Sequence, residues 1–555
     1  MVLLQSGFRT EIAPAERAPW QGERTSVTEQ FQVVIVGGGP VGMALAVELG
    51  QRGLGVAVIE RGREVGRLPK GQGLTHRSLE HFYFWNCLEQ IRTIRLLPPG
   101  YPIGGINAYR DLLSDDWFPS NQARNNLGPY YFQRNDRLPQ YLTEEVLRAR
   151  VGELPNVTVY YEHLATGVEQ DEKHARVRVT PSVWPYEEFE LEGDYVVGCD
   201  GTGSMVLSQC GIERHGTDFD TRMVLAVFYS SEFHERTKRF GERTTFHVMN
   251  AETKGAWQFW GRVEAENTFF FHAPVKKDAT PEDRDYVQQV MGHAAGFPFG
   301  VEFQHIGFWN LRVSVADTYR KGRVFIAGDA AHSHPPYGGH GLNNGLEDVT
   351  NLGWKLDAVL KGWASDTLLD SYTAERQPVF AEVGEDMIAE NIRSEGRFLA
   401  EHDPDRDREA FETAFQKLAG EDATINIEQH YEGSPVIWGP PGAVVGIHST
   451  PSLVARAGHH LSPAVLSSGR NVFEELGSGF TLLSFSLDAA TTDGLVAAAE
   501  HDGVPLEVVT DIFADGRERY ESHLVLVRPD QFVCWVGDEA PADPARVIAR
   551  VAAIP

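Results

Sequence analysis

The stretch from Gln32 to Glu60, QVVIVGGGPVGMALAVELGQRGLGVAVIE, leaves a chain little freedom in how it folds. Gln32 to Val36 is a short apolar run suited to burial in a parallel sheet. Gly37, Gly39 and Gly42 follow at GxGxxG spacing. Val41, Leu45 and Leu49 then share one helical face, and Gly53 stands where a helix closes. Val56 to Ile59 reads as a second strand, with Glu60 at its end. In a unit of this order Gly37 permits the tight turn, Gly39 lets a pyrophosphate approach the backbone, and Gly42 lets helix and strand pack closely. The helix N-terminus faces the phosphates, and Glu60 is placed for ribose hydroxyls. The unit predicts a bound dinucleotide and leaves FAD and NAD open.

A second segment, GDAAHSHPPYGGHGLNNGLEDVTNLGWKL from Gly328 to Leu356, follows another apolar run, Val324 to Ala327. Asp329 is thus expected at the carboxyl end of a strand, where open α/β sheets bind ligands. Leu342, Leu346, Val349, Leu352, Leu356 and Val359 recur at three and four, which predicts an amphipathic helix beginning near Gly341. Its first-turn N–H groups and positive dipole end suit a developing anion. The competing reading is an iron site built from His332, His334 and Asp329. The Pro-Pro and Gly-Gly pairs have no task in a metal cage, but they do shape a backbone lying flat on a planar ring. The cradle is preferred, the histidines are read as loop packing, and no metal is expected.

Taken together, the GxGxxG unit with Glu60, the internal Asp200-Gly201 and the long third segment resemble the FAD-dependent aromatic hydroxylases of the p-hydroxybenzoate and phenol hydroxylase type. The resemblance covers essentially Val33 to the C-terminus. It implies FAD as cofactor, NADPH or NADH as a transient electron donor, and O₂ as co-substrate. The expected function is hydroxylation of a phenolic or hydroxylated heteroaromatic ring through a flavin C4a-hydroperoxide. The resemblance also implies that Asp329 holds the ribityl chain, that Pro336 lies near the reacting edge of the flavin, and that Gly341, Leu342 and Asn343 present amides to the pyrimidine. By the same matching Val41 offers its amide to phosphate, Glu60 and Arg61 face the adenosine ribose, and Lys70 stands near the pyrophosphate. Gln140 matches a flavin-side glutamine, and Asp200 belongs to the family's second fingerprint. There Gly203 and Leu207 replace common arginines, so the mode of nicotinamide docking stays open. Rival readings are a flavoprotein that sequesters an aromatic compound and a flavin dehydrogenase on the same fold.

The fold class expected is α/β: a Rossmann-like FAD-binding domain with an inserted antiparallel-sheet substrate domain and a C-terminal thioredoxin-like domain. The FAD domain is drawn from 29–108, 128–212 and 310–395, after an N-terminal extension over 1–28. Residues 213–309 alternate like strands, with Trp257 and Phe259 on one face, Trp260 on the other, and Phe269 and Phe271 together. This sheet and the loop 109–127 form the substrate region. A helical connector and linker occupies 396–445, and 446–555 resembles the thioredoxin-like domain of phenol-hydroxylase-type members. Cys534 is alone there and no CxxC exists, so a structural or oligomer-forming role is expected.

Ionising a phenol needs a polar pocket residue. His272, which follows the Phe269–Phe271 run, is the first choice, and Tyr337, Arg262 and Tyr229 are further candidates. No arginine clamp for a carboxylate stands out, which favours a neutral ring over a benzoate. Lys plus Arg number 50 against 78 Asp plus Glu, a formal balance of −28, which disfavours nucleic acid and anionic membranes as partners. Four scattered cysteines and the absence of a signal-peptide pattern lead to a cytoplasmic expectation, with a homo-oligomer as the assembly.

Overall fold

A computed structural model describes residues 28–98, 101, 103–120, 126–184, 187–336, 338–422 and 427–555. The N-terminal extension up to residue 27 and Tyr337 lie outside the described residues.

Strand Thr28–Val36 is central to the first sheet, running parallel to Val56–Glu60 on one side and to Phe189–Gly198 on the other. Val157–Tyr161 and Val324–Ile326 extend the parallel core outward. Val33, Val34, Ile35, Val56, Ala57 and Val58 are wholly buried, which explains why these strands read as unbroken apolar runs and not as alternating ones. Each valine or isoleucine among them contributes roughly 1.5–3 kcal/mol by leaving water. Helix Pro40–Gln51 packs against helix Gln140–Val151 and against the long helix His340–Leu360.

The second sheet has seven strands, in the order Glu302–Arg312, Asp218–Tyr229, Thr268–Pro274, Gln258–Arg262, Thr245–Met249, Gly105–Tyr109, Trp117–Pro119. It is antiparallel except where Thr245–Met249 runs parallel to Gly105–Tyr109. The boundaries expected at 108 and 309 fall inside strands Gly105–Tyr109 and Glu302–Arg312, because hydrogen bonding to the sheet continues past both points. The two-residue period separates its faces. Phe228, Phe246, Trp260, Phe269 and Phe271 point back into a core shared with Phe233 and helix Arg284–Ala295. Leu225, Val227, Phe259 and Phe270 point forward, where Trp309 packs on them.

The C-terminal sheet runs Leu506–Asp511, Phe480–Phe485, Leu524–Val527, Val533–Gly537. The first pair is parallel and the rest antiparallel, with helices Ala489–Asp502 and Pro544–Val551, which is the thioredoxin-like arrangement. Buried ion pairs fasten it to the first domain. Arg528 meets both oxygens of Glu375, at 2.6 and 3.0 Å, and His460 Nε2 lies 2.7 Å from Glu80. Among the described residues no helix is long and apolar enough to cross a membrane.

Candidate functional site

The glycine turn is tight for reasons visible atom by atom. Gly37 has φ +105°, and a Cβ there would sit 2.4 Å from the Cys199 carbonyl oxygen. A Cβ on Gly42 would come within 1.9 Å of the Gly37 oxygen. At Gly39, by contrast, a Cβ would meet nothing within 4 Å, so the backbone there borders open space. Helix Pro40–Gln51 starts at this point with proline in its first turn and no side-chain cap, leaving first-turn donors such as the Val41 amide for a ligand. Glu60 accepts from the Gly38 and Gly62 amides, each at 2.7 Å, and pins the turn to the end of its strand. A carboxylate retains further lone pairs for a ribose. Arg61 beside it is exposed.

The three motifs interlock. The Val41 side chain fills the space that a Cβ on Gly328 or Gly345 would need, at 2.9 and 2.6 Å. Lys70 and Gln140 line one cavity of about 130 Å³. Gln140 donates its backbone N–H to Gly71 at 2.7 Å, and its Oε1 and the Leu342 side chain both border the vacant Cβ position of Gly71. Asp329 opens onto the cleft, where the protein crowding around it pushes its carboxyl pKa up. The long helix begins at Gly339, with φ +71° and again no side-chain cap, so the Gly341, Leu342 and Asn343 amides are presented at its mouth. The Asn343 side chain braces that mouth, accepting from Thr75 N at 2.9 Å and donating to Gly73 O at 2.8 Å. Open space at the glycine turn and two uncapped helix ends fit a dinucleotide flavin.

Asp200 is otherwise engaged. Its carboxylate accepts from Ser204 Oγ and from the Met205 and Val206 amides, so it starts the short helix Met205–Gln209. His332 turns away from Asp329: its Nε2 lies 2.6 Å from Asp348, and its ring stacks on Phe380 at 3.8 Å. His334 stacks on the same phenyl ring. Among the described residues, three potential ligand atoms converge only at His430–Glu432–His459 and Glu213–His215–Asp317, not at His332, His334 and Asp329.

The front of the seven-stranded sheet carries a further candidate. His272 is buried there, and its Nδ1 accepts from the Trp309 indole at 3.2 Å. Burial pushes its pKa down to about 4 despite a hydrogen bond to the Val224 backbone. Both nitrogens are thus occupied, and the geometry suits a neutral wall better than a proton acceptor. Arg262 belongs to the back face, where it bonds Thr237, the Arg243 carbonyl and His234. Tyr229 is largely exposed. Pro336 is half-buried in the loop before the long helix.

A profile of the FAD binding domain family matches residues 30–386, and one of the aromatic-ring hydroxylase C-terminal domain matches 455–555. A rifampicin monooxygenase of Streptomyces venezuelae is 30% identical over 92% of this chain and 96% of its own length. An anhydrotetracycline monooxygenase of Streptomyces rimosus is 30% identical over 91% and 95%. The rebeccamycin biosynthetic enzyme RebC, solved with reduced flavin, superposes with a TM-score of 0.79 at 26% identity, covering 95% of this chain and 100% of that one. The chain belongs to the FAD-dependent aromatic-ring hydroxylase family. It is a flavoprotein monooxygenase.

Two features of this monooxygenase escaped the reading of its sequence. Arg214 reaches across the cleft floor, donating to the carbonyls of Thr202 and Asp329, each at 2.9 Å, and to that of Ala330. It ties the Asp200 and Asp329 motifs together from outside both. On the front face His247 bonds Asn107 at 3.0 Å, and its Nε2 lies 3.4 Å from Glu395. These partners are more than a hundred residues apart in the chain, so no local pattern announces them.

Proposed function

We propose that this monooxygenase hydroxylates a phenolic or hydroxylated heteroaromatic ring, taking electrons from NADPH or NADH and oxygen from O₂. The observation that carries the reading is the combination, in one chain, of two uncapped helix N-termini and an open Gly39 with a second sheet that bears an apolar aromatic face. Bound FAD supplies the electron transfer and oxygen activation. In this reading Gly37, Gly39, Val41 and Gly42 seat the pyrophosphate, with Lys70 beside it. Glu60 and Arg61 hold the adenosine ribose, Gln140 and Asp329 the ribityl chain, and Gly341, Leu342 and Asn343 the pyrimidine. Asp200 acts indirectly, by fixing the turn after its strand.

The protein's own work is to position the ring, exclude water and move the phenol proton. Leu225, Val227, Phe259 and Phe270 form the dry wall, with neutral His272 held upright by Trp309. Pro336, half-buried in the loop before the long helix, forms the rim. The names of the relatives support substrates as large as polycyclic antibiotics. A cytoplasmic setting and a homo-oligomer complete the proposal, the former supported by four free cysteines.

The test is to load the protein with FAD and follow NADPH oxidation, oxygen uptake and product mass across a panel of phenols. Accelerated oxidation with a product heavier by one oxygen is the expected result. Tight binding without oxidation, or turnover that persists without oxygen, overturns it.

A further inference from the structure

Arg137 lies on the short strand Asp136–Arg137, three residues before Gln140, and is only 9% exposed. Its Nη2 donates to Gln72 Oε1 at 3.0 Å and to the Arg262 carbonyl at 3.4 Å, and its Nε has no partner among the described residues. Among the described residues no carboxylate reaches the guanidinium. The neighbouring Asp136 is taken by Arg95 at 3.0 Å, and burial alone pulls the Arg137 pKa down to about 10, still cationic at neutral pH. Gln72 is 6% exposed, and with its oxygen committed to Arg137 its Nε2 is likewise left without an acceptor.

Two buried donors, one of them charged, therefore stand side by side without an acceptor. Such a pair is costly, because an orphaned buried donor keeps its full desolvation penalty and a charged one keeps more. Their position says what completes them. Nη2 sits 3.0 Å from the vacant Cβ position of Gly261, whose other neighbour is the Phe270 ring of the front face. Gln72 follows Gly71, which meets Gln140 and Leu342 on the flavin side. The pair thus occupies the seam between cofactor cleft and aromatic wall.

We propose that Arg137 and Gln72 form an anion subsite of the substrate pocket, and that the aromatic substrate carries an anionic oxygen group, a carboxylate or an ionised acidic phenol. This inference rests on the hydroxylase reading above, and it replaces the neutral ring expected from the sequence with an acidic one. A guanidinium and an amide N–H offered together match two oxygens, or one oxygen with two lone pairs. The same subsite disfavours neutral isosteres, because they leave both donors buried and unpaired.

The test uses the FAD-loaded protein and calorimetric titration of two probe pairs, salicylate against salicylamide and 4-nitrophenolate against 4-nitroanisole. The expected result is an anion preference of about 10- to 100-fold in at least one pair, and which pair shows it identifies the source of the anionic oxygen. In Arg137→Gln that preference falls to near unity, while Arg137→Lys retains part of it. FAD content and oxidation of NADPH with neutral phenols report separately on the hydroxylase reading, so either idea can fail alone. Equal affinity for anion and neutral isostere in both pairs, absence of binding by all four probes, or an anion preference that survives Arg137→Gln overturns the subsite.

Discussion

The first turn of helix His340–Leu360 and its body treat polar groups in opposite ways. The first turn carries no side-chain cap and no acidic residue, and its donors point into a cleft. The body buries Glu347, Asp348, Asn351 and Lys355, and pairs every one of them. Glu347 meets Arg77 at 3.0 Å and His81 at 2.8 Å. Asp348 holds Arg376, His332 and the Gly328 amide. Lys355 shares Glu375 with Arg528. One helix therefore treats polar groups in two ways: the charged and amide side chains of its body are paired within the fold, the Trp354 indole N–H being left over, while the first-turn donors are left for a ligand. The glycine-turn helix and the Arg137–Gln72 pair fall on the open side of that division.

The division is broken most severely by removing a partner from the satisfied side. Glu375→Ala takes away the carboxylate of buried Lys355 and leaves Arg528 with Asp530 alone, and is expected to cost about 3–5 kcal/mol of stability. Denaturant unfolding reads it directly, and a loss below about 1 kcal/mol would show that the network matters little. On the open side, Gly42→Ala drives a methyl against the Gly37 oxygen and distorts the turn. About 1–3 kcal/mol of overpacking is expected to appear as loss of FAD from the purified protein, with far-ultraviolet circular dichroism unchanged.

Acid sharpens the comparison. Burial holds His272 and His334 neutral, pushing each from its ordinary 6.5 down to about 4. The unfolded chain takes up these protons at pH 6.5 and the folded chain does not until pH 4. Stability is therefore full above pH 6.5 and falls as pH drops through that window. For Glu347 burial alone would raise the carboxyl, yet Arg77 and His81 hold it well below its usual range, and Arg528 and Lys355 do the same for Glu375. Their contribution is lost below about pH 4.5, in a second and steeper fall. Urea midpoints across this range check both steps, and His272→Gln should flatten the first. The smallest expected effect belongs to Trp309→Phe. It removes one indole hydrogen bond to His272, worth about 1 kcal/mol, and should appear as a modest rise in KM with FAD content intact.

What was legible in the sequence follows the same line. The glycine turn, the uncapped long helix and the two faces of the sheet are written in spacings of two to four residues, so local geometry announces them. Phe259 on the front and Trp260, Phe269 and Phe271 on the back lie where alternation places them. The satisfied network was not legible, because Arg77 finds Glu347 and Gln531 across hundreds of residues. Asp200 reads as part of a fingerprint, while its carboxylate is spent starting a helix that only the folded turn reveals. Arg137 is one step removed from a recognisable motif, LPQYLTEEVL, and what distinguishes it is the partner it lacks.

Hydrogen exchange of the backbone amides, with and without FAD, tests the division most directly. Strong protection on FAD addition is expected at Val41 and Gly42 and at Gly341–Asn343, in the first turns of the two uncapped helices, with little change from Glu347 to Leu356, where the amides are already paired. Uptake of FAD with no protection at either first turn, or no uptake at all, would contradict the account.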